Sequence, residues 1–377
     1  MTKFLFSSDF SGGGGSSLGA IAAGFKVLLG VEWDKEIASL YRRNIGEVIV
    51  GDVGKVSLMQ RKKFIPLRRK PDEILVHQTS PPCQEYSNAN QNKDLTSERA
   101  TVLKETFAFY RMFQPEYVVL ENVPAYQKAD VYLEFKKFLW ANGYAVCFDE
   151  VVNCAAYGLP QTRKRLIMIA VKDGYWAVKP SPTHTKQTWI GWHEAIENLI
   201  PGLEDSWLTE KQKRSLAIVS ENTKSVLVDS ANSRGDGGYT TKVDQEPAFT
   251  ICASWGKSNS KPRAVLVERV GYRGSPKARS EGSPAWTLKA NIGNDGKGAN
   301  RVKMIDLVLE DGVETKVKTL NTRALARLQG FPDSYQFSGR TGLDVKVIGN
   351  SFPPTVMEII CNKIKQSVTM LVGSESF

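Results

Sequence analysis

Phe4-Leu5-Phe6, then Asp9-Phe10-Ser11-Gly12-Gly13-Gly14-Gly15-Ser16, then Leu18, Ile21, Ala22 and Phe25 at helical spacing form the stretch that decides the fold. The apolar triplet reads as a short buried strand, the four glycines as a tight turn, and the spaced apolar residues as a helix. Strand, glycine turn and helix open a nucleotide-binding α/β unit. The next apolar run, Val27-Leu28-Leu29-Gly30-Val31, ends at Glu32, about twenty residues beyond the glycines, where such folds place an acid on ribose hydroxyls. A nicotinamide dehydrogenase is therefore one reading. Its Gly-x-Gly-x-x-Gly register fails, because Gly12 and Gly14 are followed by Ser17, and Gly13 and Gly15 by Leu18. Without the third glycine, a cofactor lacking phosphates is the better expectation.

Working outward, Ile74-Leu75-Val76 reads as a strand that delivers Ser80-Pro81-Pro82-Cys83-Gln84 and then a polar run. A lone cysteine is most often a small buried hydrophobe. Here two prolines cannot continue a central strand, and the polar flank suits a closing loop over 84–99, so Cys83 is a candidate nucleophile. Val118-Val119-Leu120 delivers Glu121-Asn122-Val123-Pro124 in the same way. A carboxyl group at that edge of an α/β sheet faces the ligand crevice and can donate a proton; a solvated glutamate in a turn fits the residues equally well. The pattern then predicts a helix over 131–140, a strand over 145–152, and a strand over 166–171 preceded by Gln161-Thr162-Arg163-Lys164-Arg165. Arg163 and Arg165, two apart, can share one side of an extended chain or simply form a basic surface turn.

At 377 residues and 41% apolar, the chain can build one large domain and a smaller one. Its five cysteines are scattered and, with three histidines, show no metal-ligand spacing, which predicts no metal, no disulfide framework and a reducing, cytoplasmic setting. No apolar run approaches membrane-spanning length. The net charge of +10 is concentrated: residues 251–303 carry eleven basic side chains against three acids, interleaved with Trp255, Tyr272 and Trp286. Such a segment fits a surface that meets phosphates.

Read together, Pro81-Pro82-Cys83-Gln84, Glu121-Asn122-Val123, Gln161 to Arg165 and Gly349-Asn350-Ser351 resemble the ordered motifs of the DNA cytosine-5 methyltransferases. The resemblance implies a Rossmann-like α/β domain that binds S-adenosylmethionine and releases S-adenosylhomocysteine, with a smaller, mostly β target-recognition domain. Phe10-Ser11-Gly12-Gly13-Gly14-Gly15 is similar to the family's cofactor loop. Phe10 and Trp33 would then flank the adenine, Glu32 hold the ribose, Asp52 the adenine amino group, and Gly12, Gly14, Gly15, Pro82, Asn350 and Ser351 complete the pocket. Cys83 would attack C6 of a flipped cytosine, Glu121 would protonate N3, Arg163 would help hold the base and Arg165 support the site. Gln84, Ser87 and Arg99 would meet DNA from the closing loop. Three departures stand out: Gly13 where an apolar residue is usual, which loosens the loop, and Thr79-Ser80 and Glu85, which replace small residues and bear on loop closure. The expected partner is double-stranded DNA, bound by a monomer, with a cognate restriction endonuclease acting separately.

The domain expectation is 1–180 for catalysis and cofactor, 181–320 for target recognition, and 321–377 as a return segment. Within the middle region Val226-Leu227-Val228-Asp229, Arg234-Gly235 and Pro247 to Ser254 recur as Val265-Leu266-Val267-Glu268, Arg273-Gly274 and Pro284 to Asn291. This duplication, about 226–258 and 265–297, suggests two strand-loop-strand units side by side. Arg234 and Arg273 are candidates for reading guanine, whose O6 and N7 accept a bidentate arginine, although Arg-Gly also makes ordinary tight turns. Three other readings remain. A tRNA cytosine-5 methyltransferase is disfavoured by the sizeable basic second domain, a dehydrogenase by the glycine register, and an inert DNA-binding module by the presence of both Cys83 and Glu121.

Overall fold

The computed structural model describes residues 2–82, 102–206, 225–228, 241–243, 245–248, 250, 263–269 and 313–374. Seven strands form the first sheet: β1 (Lys3–Asp9), β2 (Lys26–Glu32), β3 (Val48–Val50), β4 (Glu73–Thr79), β5 (Tyr117–Asn122), β6 (Tyr144–Asn153) and β7 (Lys164–Lys172). Their order is β3-β2-β1-β4-β5-β7-β6. The first five are parallel, joined by helical crossovers, whereas β7 lies antiparallel between β5 and β6. The link from β6 to β7 carries only a 3₁₀ turn, Cys154–Tyr157, too little chain for a parallel crossover.

Nine helices are described: α1 (Gly15–Ala22), α2 (Lys35–Asn44), α3 (Leu58–Lys62), α4 (Phe107–Phe113), α5 (Asp130–Ala141), α6 (Trp192–Ile196), α7 (Thr322–Leu328), α8 (Thr341–Asn350) and α9 (Pro354–Ser374). Every residue of β5 is buried, as a strand covered on both faces requires. Val118 and Leu120 pack with Phe109, Phe113 and Phe135 on one side; Tyr117 and Val119 pack with Val356, Met357 and Ile360 on the other. Helix α9 thus closes a layer that begins with α1. The two approach closely because Gly19 has no side chain; a Cβ there would lie 2.2 Å from the Pro354 carbonyl oxygen.

A second sheet is antiparallel throughout, with β8 (Asp205–Ser206), β9 (Ser225–Val228), β10 (Thr241–Val243), β11 (Arg263–Arg269) and β12 (Val313–Thr319) in the order β10-β9-β11-β12-β8. The first strands of the two sequence repeats, β9 and β11, are hydrogen-bonded neighbours with Val226 opposite Val265. Arg234, Arg273 and most of the basic segment lie outside the described residues. A third apolar cluster joins Ile37 and Leu40 of α2 to Trp192 and Ile196 of α6 and to Leu325, Leu328, Val345 and Ile348 of α7 and α8.

Beneath the glycine turn lies a buried charged cluster. Asp9, the last residue of β1, has Arg61 Nη1 2.5 Å from Oδ1 and His77 Nε2 3.5 Å from Oδ2. Burial would raise the Asp9 carboxyl, but Arg61 and His77 together outweigh it and hold the group at about 2. Burial pushes His77 down, opposed by Asp9. Arg61→Met would strand the carboxylate without its main partner, and we expect it to cost about 3–5 kcal/mol in denaturant unfolding. An unchanged midpoint would show that the pair contributes nothing. Acid should act twice. His77 is harder to protonate folded than unfolded, so stability falls as pH drops below about 6.5. Asp9 is harder to protonate folded too, so its contribution is lost as pH falls from about 4 toward 2. Melting temperature measured against pH checks both steps, and His77→Gln should remove the first.

Candidate active site

The register of the first sheet fixes the site. Thr79 at the end of β4 pairs with Leu120, so Ser80 leaves the sheet beside Glu121. Glu121 sits opposite Ile167 of β7, which places Arg165, two residues away and on the same face, diagonally across from it. The side chains meet accordingly. Arg165 Nε lies 3.0 Å from Glu121 Oε1, and Ser80 Oγ donates to Oε2 at 3.0 Å. Glu121 is 6% exposed, and both its oxygens are engaged. Asn122 Nδ2 donates to the Pro81 carbonyl at 3.0 Å, anchoring the Pro-Pro pair, and Pro82 is half-buried one residue before Cys83. Cys83, Gln84, Ser87 and Arg99 lie outside the described residues.

The two arginines reach different partners. Arg163, expected at the base, is buried with Nη2 donating to the carbonyls of Gly349 at 2.9 Å and Ser351 at 3.2 Å, which ties the β7 entrance to the end of α8. Arg165, expected in support, is the one that reaches Glu121. Arg163 precedes β7 while Arg165 is on it, so the alternation of the strand does not fix the first of them on the same side. Gln161, unassigned in the sequence reading, completes this junction. Its Nε2 donates to Leu328 O at 3.0 Å and Gln329 Oε1 at 2.8 Å, and Gln329 Nε2 donates to Ser351 O at 2.8 Å. The middle region is stitched to the same turn: Thr162 N donates to Ala248 O at 2.7 Å, and Ala248 N to Pro160 O at 2.9 Å.

The expected cofactor residues gather at the C-terminal ends of β1, β2 and β3. Phe10 and Gly12 both have φ of 54°, and Gly14, with φ of 89°, precedes α1. Glu32 is buried, and its two oxygens accept from Gly12 N and Asp34 N, each at 2.9 Å. Burial raises its carboxyl, opposed by those two amides. Trp33 is 66% exposed, and Asp52 Oδ1 accepts from Gly54 N at 3.0 Å. Asn350 is exposed at the end of α8, while the Ser351 hydroxyl donates to Val347 O at 2.6 Å. The expected loosening at Gly13 is absent. A Cβ there would meet Val347 Cγ1 at 2.2 Å, and Tyr335 Oη donates to Gly13 O at 2.8 Å, so the return segment fills the space. A buried carboxylate on the first glycine amide, beside an exposed indole, fits a nucleoside with a free ribose diol. Among the described residues no group of three metal-ligating side chains occurs, and no helix is long and apolar enough to cross a membrane.

Comparison with known proteins places this geometry. The type II methyltransferase M.FnuDI of Fusobacterium nucleatum is 25% identical over 382 residues, covering 96% of this chain and 94% of the relative. M.HpaII of Haemophilus parainfluenzae is 24% identical, covering 97% and 90%. Among solved structures, the Entamoeba histolytica methyltransferase EhMeth superposes with a TM-score of 0.61 at 14% identity, covering 98% of this chain and 99% of its own. The fold is therefore that of the S-adenosylmethionine-dependent methyltransferases. The C-5 cytosine-specific DNA methylase family model matches residues 4–366, so the chain belongs to that family and is a DNA cytosine-5 methyltransferase.

Proposed function

We propose that the chain methylates cytosine within one short DNA sequence, on a nucleotide swung out of the duplex, through a covalent bond from Cys83 to C6. The observation that carries this reading is the Ser80–Glu121–Arg165 constellation, which stands where Pro82 hands the chain to Cys83. C5 of cytosine is a weak nucleophile. Addition of the Cys83 thiolate to C6 moves the C5–C6 π electrons toward C5, and a proton from Glu121 to N3 neutralises the charge that builds on the ring. Ser80 occupies Oε2 as a donor, so Oε1 is the oxygen able to carry that proton, and Arg165 must yield it to the base. Arg165 then remains beside the carboxylate that forms. The chemistry supplied by S-adenosylmethionine, when bound, is an electrophilic methyl group. Loss of the C5 proton to water restores the ring double bond as the C6–S bond breaks and the thiolate leaves, and N3 returns its proton to Glu121. Phe10, Glu32, Trp33 and Asp52 would hold the nucleoside part of the cofactor, and Arg163 would brace the pocket wall at Gly349 to Ser351. A base inside a duplex is beyond reach of such a recessed site, which requires the nucleotide to leave the stack.

The names of the relatives support a role as a type II modification enzyme, with an endonuclease of the same specificity acting separately. Base-resolution mapping of 5-methylcytosine in plasmid DNA from cells expressing the chain tests the reading. Methylation at one short motif, absent with Cys83→Ser, is the expected result. Unmodified DNA from folded protein would turn attention to RNA.

A further inference from the structure

A line of hydrogen bonds runs from the glycine loop to Glu121. Ser16, in the first turn of α1, donates from Oγ to Gln78 Oε1 at 2.8 Å. Gln78 Nε2 donates to Ser80 Oγ at 2.6 Å, and Ser80 Oγ donates to Glu121 Oε2 at 3.0 Å. Arg165 closes the line from the other side. Ser16 and Gln78 are almost completely buried. The sense of the line is fixed by chemistry. An amide NH₂ only donates, so Ser80 receives from Gln78 and its single hydrogen is left for the carboxylate.

We propose that Ser80, oriented by Gln78 and Ser16, is a positioning residue that holds the Glu121 carboxyl plane for proton transfer and couples it to the cofactor loop. The proposal rests on the reading of Glu121 as the proton donor. One support on each oxygen stops the carboxyl group rotating, and it presents Oε1 toward the space in front of Arg165. With the Ser80 hydroxyl removed, Oε2 is a nearly buried acceptor without that donor, and the group can turn away. Ser80, part of the Thr79-Ser80 departure expected from sequence to bear on loop closure, thus also meets the carboxyl group.

Steady-state and single-turnover methyl transfer to DNA, with both substrates varied, tests this. Ser80→Ala should lower kcat about tenfold, as loss of one hydrogen bond to a charged group implies, with KM for DNA and cofactor within about twofold. Ser80→Thr should restore the rate. Ser16→Ala is the sharper variant because it lies beside the cofactor loop: a role confined to cofactor binding raises the cofactor KM, whereas the hydrogen-bond line lowers kcat. Combining Ser80→Ala with Gln78→Met should add almost nothing to the single loss. Wild-type kcat in Ser80→Ala, or a threonine variant as slow as the alanine one, overturns the proposal. If Ser80→Ala does not fold, the kcat and KM of Ser16→Ala decide. Glu121→Gln assayed in parallel separates the two claims. Full activity there removes the proton-donor reading itself, while a slow Glu121→Gln beside a fast Ser80→Ala removes only the positioning role.

Discussion

Cys83→Ser is expected to abolish methyl transfer, by about 10⁴-fold or more, while binding of the cofactor persists. A serine hydroxyl at neutral pH is essentially un-ionised and adds poorly to C6, whereas a cysteine has an accessible thiolate. The substitution changes one atom, so the loss reports on nucleophilicity rather than on packing. Single-turnover transfer of a labelled methyl group, beside calorimetric binding of S-adenosylhomocysteine, measures both halves. A variant within tenfold of the parent rate would eliminate the covalent route.

Glu121→Gln should slow transfer by about 10²–10⁴-fold, the usual contribution of a positioned proton donor. The amide is close to isosteric, and its oxygen can still accept from Ser80. Its NH₂ would then face Arg165 Nε, setting two donors against each other where the wild type has an ion pair at 3.0 Å. Part of the loss could come from that clash. Arg165→Ala in the same background separates the causes: if the missing proton dominates, removing the clash restores little. Recovery to near wild-type rate would reassign Glu121 to an electrostatic role.

Strand, glycine turn and helix were legible because glycine and apolar periodicity act locally. The same holds for β4 and β5 delivering Ser80 and Glu121 to one edge, since parallel strands present their C-terminal ends together. The antiparallel insertion of β7 depends on pairing between distant strands and leaves no local trace. Arg163 illustrates the limit at the site. Its spacing from Arg165 suggested a shared side, but its guanidinium is drawn to carbonyls almost two hundred residues away, at Gly349 and Ser351. Gly13 likewise looked loose because Val347 and Tyr335, which fill the space, are distant in sequence. One signal was present and unused. His77 and Gln78 are polar residues in a central parallel strand, where burial demands partners, and those partners turn out to be Asp9 for the first and Ser16 and Ser80 for the second.

The packing of α9 against α1 and the seat of Tyr335 and Val347 beneath Gly13 bear on how the enzyme comes into being. Residues 335–368 leave the ribosome after every strand of both sheets. Until then the cofactor loop has no floor and one face of the first sheet is covered only in part, by α1. A growing chain can pair its strands and still lack a finished cofactor pocket, so methylating capacity waits for the segment 335–368.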